Sequence, residues 1–273
     1  MSQVERKEFA GGYSKTQRVV ETVILVLFLG IEGHLLCKLL VPVNLWHVLL
    51  ALAAVLLGFL GADFLSGTVH WFCDTWGSIS WPLVGQSVLR TFREHHFDPK
   101  AITRHDFIET NGSNAAIGMV PMLCTLPLDP SRSSWAWGVV LCGCTMSFFI
   151  LMTSQIHKWA HSDCPPAPVV FLQRYGIILS PEHHEQHHTA PYTKNYCITA
   201  GWLNPIAERF RVFSRLERLI TLMTGAEPRH DPLSDQLIAE VLRRLPPRAP
   251  LDTAQVSAPP AAPASSTPQP RLP

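Results

Sequence analysis

The feature that most constrains this chain is the gathering of its apolar residues into runs long enough to cross a bilayer. A helix needs about 20 consecutive apolar residues to span the hydrocarbon core, and Val19–Val41 and Leu45–Leu65 each reach that length. The first run carries Glu21, Glu32, His34 and Lys38, and Pro42 and Asn44 separate it from the second, which is the cleanest apolar stretch. A signal peptide fits the first run poorly, because the apolar region is too long and no small-residue cleavage site follows it. Trp135–Thr153 is a further convincing run, while Ala115–Leu128 is short and interrupted by Pro121, so a re-entrant or tilted segment competes there with a full crossing. The expected fold is an all-α integral membrane protein with about four transmembrane helices, at 19–41, 45–67, 114–128 and 135–155. A histidine-rich helical cap built from 68–112 and 156–231 would complete the domain at 19–231.

The flanks carry little chemistry. Residues 1–18 are polar and basic, and 232–273 is a Pro/Ala-rich tail expected to be disordered. Charged residues make up 16% of the chain, below the ~25% usual for soluble proteins. A net charge of +1 and the lack of any nucleic-acid motif give no case for a nucleic-acid partner. The seven cysteines form no CxxC pair, so neither a disulfide framework nor a cysteine zinc site is indicated.

Chemistry is concentrated in the histidines. Pro181 to His188 contains His183, His184, His187 and His188, and so dense a set of neutral nitrogen donors points to metal ligation. His70 and Asp74 are four residues apart at the end of the second run, on one helix face. His157 and His161 repeat that spacing beyond the last run, and His95, His96 and His105 lie in the polar segment between the second and third. If all four runs cross, the ends of the second and fourth return to the side of the N-terminus, which brings ten of the thirteen histidines to one face. Arg90, Arg93, Lys100, Arg104, Lys158 and Arg174 lie on that side, against Lys38 and Arg132 opposite, so the positive-inside rule makes it cytoplasmic. Ten imidazoles plus Asp74 exceed what one zinc ion needs. They fit two ions, with some residues left to orient the ligands. Imidazole suits iron, copper, nickel and zinc alike, so ligand type does not choose the metal.

Three rivals are weighed. His184-Glu185-Gln186-His187-His188 matches the HExxH pattern of zinc proteases, but that reading leaves six other histidines unexplained. Ferritin-type di-iron proteins pair two Glu-x-x-His motifs, and the second match here, Glu227-x-x-His230, lies in a Gly/Pro-rich stretch. A metal transporter would place ionisable ligands near mid-membrane, whereas these sit at the ends of runs.

The motifs Ala62-Asp63-Phe64-Leu65-Ser66-Gly67 with His70-Trp71, Phe92-Arg93-Glu94-His95-His96-x-Asp98-Pro99, Ile102 to Gly112, Gln155-Ile156-His157-Lys158-Trp159-x-His161, His183-His184-x-x-His187-His188 and Gly201-Trp202-Leu203-Asn204 stand between Gly61 and Asp231. In these the chain closely resembles the Kua/CarF family, the plasmanylethanolamine desaturases. The resemblance implies a membrane di-iron enzyme that uses O2 to convert the 1-O-alkyl chain of an ether phospholipid to the vinyl ether of a plasmalogen. In the bacterial branch the product is tied to the light signal for carotenoid synthesis. His70, Asp74, His95, His96, His105, His157, His161, His184, His187 and His188 would be the catalytic ligand set, with His183 the least secure metal ligand and Asp74 either a ligand or the group that fixes the His70 tautomer. A fatty-acid desaturase or lipid hydroxylase of the same di-iron class is the nearest alternative. The chain has no dinucleotide, haem or iron–sulfur motif, so electrons would come from a separate ferredoxin or b-type cytochrome with its reductase. The membrane would be the bacterial inner membrane, or the endoplasmic reticulum in a eukaryote. Because the alkyl chain must reach the metals from the bilayer, a groove between the second and fourth spans is expected.

Overall fold

A computed structural model describes residues 13–229, apart from 43, 79–80 and 82–83. Most of the N-terminal segment and the Pro/Ala-rich tail therefore lie outside the described residues. Those described form helices and no strand. The long ones are α1 (Lys15–Lys38), α2 (Leu45–Thr75), α4 (Phe107–Thr125) and α5 (Ser134–Ala160). Shorter ones are α3 (Arg90–Phe97), entered through a π-helical turn at Gly85–Leu89, α6 (Ala167–Arg174), α7 (Pro181–Glu185), α8 (Asn204–Arg209) and α9 (Val212–Thr224).

Helix starts are set by side-chain caps. Ser14, Asn44, Asp106 and Ser133 each accept a hydrogen bond from a backbone N–H of the turn they begin, satisfying donors that the helix itself leaves open. Among the described residues three helices, α1, α2 and α5, are long and apolar enough to cross a membrane. Their outer faces expose Val19, Val23, Val26, Leu27, Leu52, Leu56, Leu57 and Phe148, a surface suited to lipid and not to water.

The long helices alternate in direction. α5 lies between α2 and α4, and α1 packs on α4. At one end Lys38 Nζ donates to the Leu126 carbonyl (2.9 Å) and Trp137 Nε1 to the Leu39 carbonyl (3.0 Å). At the other, Arg18 pairs with Asp106, Asn114 Nδ2 donates to Ser154 Oγ (2.8 Å), and Lys158 Nζ reaches the His105 carbonyl. The start of α1, the end of α2, the start of α4 and the end of α5 thus share one end.

One expectation is corrected. The expected segment 114–128 is the C-terminal part of a helix that begins at Phe107. Its polar first half is helical because Asn111, Asn114 and Thr110 find partners within the helix or across to α5. α2 and α5 pack in direct contact at Gly58. A Cβ there would lie 2.7 Å from the Cys142 carbonyl oxygen and 2.9 Å from the Met146 nitrogen. The absence of a side chain lets the two backbones touch, as small residues do at helix crossings in membranes.

Candidate metal centre

The last turns of α2 and α5, together with α3 and α7, enclose a set of imidazoles. His70 and Asp74 lie on one face of α2, His157 closes α5, and His161 follows as its C-terminal cap. Arg93 holds α3 against them. Its buried guanidinium donates from Nη2 to the carbonyls of Trp76 (2.8 Å) and Gly77 (3.0 Å), just past the end of α2, so His95 and His96 on the same short helix face the ligands of α2 and α5. α7 starts at the Ser180 cap, which accepts from His183 N–H (3.2 Å), and delivers His184, His187 and His188.

Nine side chains converge as two groups, and within each the ligand atoms all lie within 4.8 Å of one another. His95, His157, His161, His184 and His188 make the first; His70, Asp74, His96 and His187 make the second. In the first, the Nε2 atoms of His157 and His184 are 2.7 Å apart, those of His184 and His188 3.0 Å, and those of His95 and His188 3.1 Å. With metal–nitrogen bonds of about 2.1 Å, two nitrogens on one ion stand roughly 3.0–3.4 Å apart at right or tetrahedral angles, so the His184–His188 and His95–His188 spacings suit shared ligation, and His157 and His184 stand slightly closer than an ion between them would set. In the second group one oxygen, Asp74 Oδ2, faces His96 Nε2 at 3.1 Å, His70 Nε2 at 3.3 Å and His187 Nε2 at 3.5 Å. The groups adjoin, with the His96 and His188 ring centroids 5.2 Å apart and those of His70 and His157 6.0 Å.

The donor chemistry also fits a metal. His70 Nδ1 lies 3.2 Å from the Tyr196 carbonyl and His187 Nδ1 2.8 Å from the Lys194 carbonyl. A carbonyl only accepts, so each Nδ1 carries the proton and each Nε2 lone pair points into the site. His70 Nε2 and Asp74 Oδ1 are buried without a hydrogen-bond partner among the described residues, and such atoms are costly unless an ion or ordered water meets them. His70 Nε2 does come within 3.3 Å of Asp74 Oδ2, but outside hydrogen-bonding geometry. Burial, reinforced by neighbouring imidazoles, holds His95 and His184 well below the ordinary histidine pKa, and burial lowers His161 to about 4. Neutral imidazole is the metal-binding form.

Two expected ligands stand outside both groups. His105 Nε2 lies 3.7 Å from Glu109 Oε1, and His183 Nε2 lies 2.9 Å from Asn204 Nδ2. Of the two roles expected for Asp74, fixing the His70 tautomer falls to the Tyr196 carbonyl, and the carboxylate faces the ligand nitrogens. Glu185 is exposed while His184 and His188 face the site, so it is not aimed where a zinc-protease base or a ferritin-type ligand would have to be. Asp63, Arg93 and Asn204 support the site without being among the expected ligands, Arg93 having counted only as one of the charges that set the orientation. The available signal was that Asp63, Ser66, Gly67, His70 and Asp74 share one helical stripe.

Lipid-exposed helices that end on a histidine-built, metal-competent centre define an integral membrane protein with the architecture of a metal-dependent enzyme. The chain belongs to the lipid desaturase family, whose domain description fits residues 59–231. It is 46% identical over 245 residues to the plasmanylethanolamine desaturase of Myxococcus xanthus, covering 89% of this chain and 84% of the relative. It is 42% identical over 233 residues to plasmanylethanolamine desaturase 1 of Mus musculus, covering 82% and 85%. The chloroplastic fatty acid desaturase 4 of Arabidopsis thaliana is 38% identical over 184 residues, covering 65% of this chain and 54% of the relative. No solved structure matches.

Proposed function

We propose that this chain desaturates plasmanylethanolamine between C1 and C2 of its 1-O-alkyl chain, forming the vinyl ether of a plasmalogen. One observation carries the reading: nine metal-ligating side chains form two adjoining groups at the end of lipid-exposed helices, in a chain 46% and 42% identical to plasmanylethanolamine desaturases. Two iron ions are the proposed occupants, one held by His95, His157, His161, His184 and His188, the other by His70, Asp74, His96 and His187. When bound, the pair supplies the redox chemistry: dioxygen activation and removal of two hydrogens from the alkyl chain. One CH2–CH2 unit, one O2, two electrons and two protons give one CH=CH unit and two waters, the electrons coming from a separate ferredoxin or b-type cytochrome with its reductase. Burial in the protein keeps the ligand nitrogens neutral and excludes water, and the backbone carbonyls of Tyr196 and Lys194 fix which nitrogen of His70 and His187 faces inward.

In the membrane, α4 is the proposed fourth crossing. At 19 residues it is about 28 Å long, close to the ~30 Å hydrocarbon core, and it runs from the site end to the opposite end beside α5. The excess of Lys and Arg at the site end supports a cytoplasmic site, in a bacterial inner membrane or the endoplasmic reticulum.

The test is lipid analysis of a host lacking vinyl ethers, with and without this chain, together with the iron content of the purified protein. Acid-labile vinyl ethers and two irons per chain are expected. New acyl double bonds without vinyl ethers would refute the substrate, and a single zinc per chain would refute the chemistry.

A further inference from the structure

Beyond the ligands, the same stripe of α2 grips one extended segment. Asp63, fully buried, accepts at Oδ1 from the backbone N–H groups of Ala200 (2.8 Å) and Gly201 (2.9 Å), and at Oδ2 from that of Leu203 (3.1 Å). One turn on, Ser66 Oγ accepts from Ile198 N–H (3.0 Å). At Gly67 an added Cβ would lie 2.5 Å from Cys197 Sγ and 3.0 Å from its backbone nitrogen, so the segment lies directly on the helix. The next turn presents His70, whose Nδ1 meets the Tyr196 carbonyl, and two residues further back along the segment the Lys194 carbonyl meets His187 Nδ1. As α2 runs from Asp63 towards Asp74, the segment runs back from Leu203 to Lys194. Asn204 locks its far end, with Oδ1 accepting from Cys197 N–H (2.8 Å) and Nδ2 donating to the Cys197 carbonyl (3.0 Å).

We infer that Asp63 is a positioning residue for one of the two ion sites. By fixing the segment 194–203, its carboxylate sets where the Tyr196 and Lys194 carbonyls stand, and so which nitrogen of His70 and His187 faces the ion. Both of those histidines belong to the Asp74 group. No imidazole of the five-histidine group bonds to this segment among the described residues; the segment meets the elements of that group through Thr199, at Thr153 Oγ1 (2.7 Å) and the Leu179 N–H (3.0 Å), so Asp63 acts most directly on the Asp74 group. The inference rests on the two-metal reading proposed above. Partners that orient ligating histidines are typically worth about 10–100-fold in metal affinity.

The test uses the full-length chain in detergent or nanodiscs, titrated with Co(II) alone as probe. Metal per chain and the visible Co(II) spectrum are read beside the melting temperature of the metal-free protein. Wild type takes up two ions. Asp63→Asn keeps an acceptor for Ala200 and Gly201 and loses the one for Leu203. It is expected to bind one ion as wild type does and the other about 10–100-fold more weakly, with a change in only part of the spectrum. Ser66→Ala, which removes the Ile198 anchor and the Ser66 hydroxyl's bond to the Asp63 carbonyl (2.7 Å) but leaves the Asp63 carboxylate in place, gives a smaller loss at the same site and reports even if Asp63→Asn fails to fold. Two ions of wild-type affinity in a folded Asp63→Asn protein would overturn the inference, as would equal weakening of both. A wild-type chain that binds fewer than two ions would overturn the two-metal reading itself.

Discussion

Replacing Gly58 with alanine should separate the two helices that carry most of the site, and the structure sets the size of the effect. An ordinary carbon contact begins near 3.4 Å, and the new methyl would start 2.7 Å from the Cys142 carbonyl oxygen, with Met146 N and Thr145 Cβ each at 2.9 Å. Two of these three are backbone atoms and cannot rotate away, so α2 and α5 must part by about 0.7 Å, the difference between the two distances. Overpacking of this kind costs about 1–3 kcal/mol, offset by up to ~1 kcal/mol of helix propensity gained over glycine. The protein should therefore fold with a net loss of roughly 0–3 kcal/mol. Function should suffer more, because His70 and Asp74 ride on α2 and His157 on α5, and ligand constellations tolerate only about 0.5 Å of displacement. A misplacement near 1 Å can cost about 100-fold in rate, so vinyl-ether formation per unit of membrane-inserted protein should fall at least about tenfold. Gly30→Ala and Gly33→Ala, where an added Cβ meets nothing within 4 Å, are the controls and should be neutral. Wild-type turnover in Gly58→Ala, or equal damage in the controls, would refute the reasoning.

His157→Ala or His187→Ala should abolish vinyl-ether formation while the protein still inserts, whereas His105→Ala and His183→Ala should keep two metals per chain by elemental analysis. Because burial lowers His161 to about 4 in the folded state, against ~6.5 unfolded, the unfolded chain takes up the proton first. The metal-free protein should thus be fully stabilised above pH 6.5 and lose stability as pH falls towards 4, by about 3 kcal/mol from this residue. Thermal melts across that window would show it, and His161→Asn should flatten the slope. Chelation should remove activity that Fe(II) restores and Zn(II) does not, measured as vinyl ether in reconstituted membranes.

Apolar blocking made α1, α2 and α5 readable, since nothing but a bilayer accommodates runs such as Leu45–Leu65. The start of α4 was not readable, because Glu109, Asn111 and Asn114 look like an aqueous loop until α5 supplies partners for the two asparagines. Convergence of the histidines followed from counting crossings, without any geometry. Separating ligands from neighbours followed only in part: His183 is the least secure ligand on spacing, because His184 already fills the HxxHH pattern, whereas nothing in the sequence sets His105 apart from His95 and His96. The stripe that Asp63 shares with Ser66, Gly67, His70 and Asp74 marked its face of α2, but not what it holds, because its partners lie more than 130 residues away and are backbone groups, which leave no trace in side-chain patterns.

The two double histidines, His95-His96 and His187-His188, have a geometric meaning that spacing alone hides. Each pair gives one member to each group: His95 and His188 to the five-imidazole set, His96 and His187 to the Asp74 set. His95 and His96 are neighbours on α3, where successive side chains point about 100° apart. His187 and His188 stand in the turn after α7. The paired rings sit 6.1 Å apart at 64° and 5.5 Å apart at 81°. A single stretch of backbone therefore serves both sites at once, from two directions. The distance between the groups is then set by local backbone geometry at two points, and the packing of the long helices has only to bring His70, Asp74, His157 and His161 up to that fixed frame. Disturbing α2 against α5 should accordingly distort each group internally while leaving their mutual spacing almost unchanged. That divides the work between the short helices and the long ones.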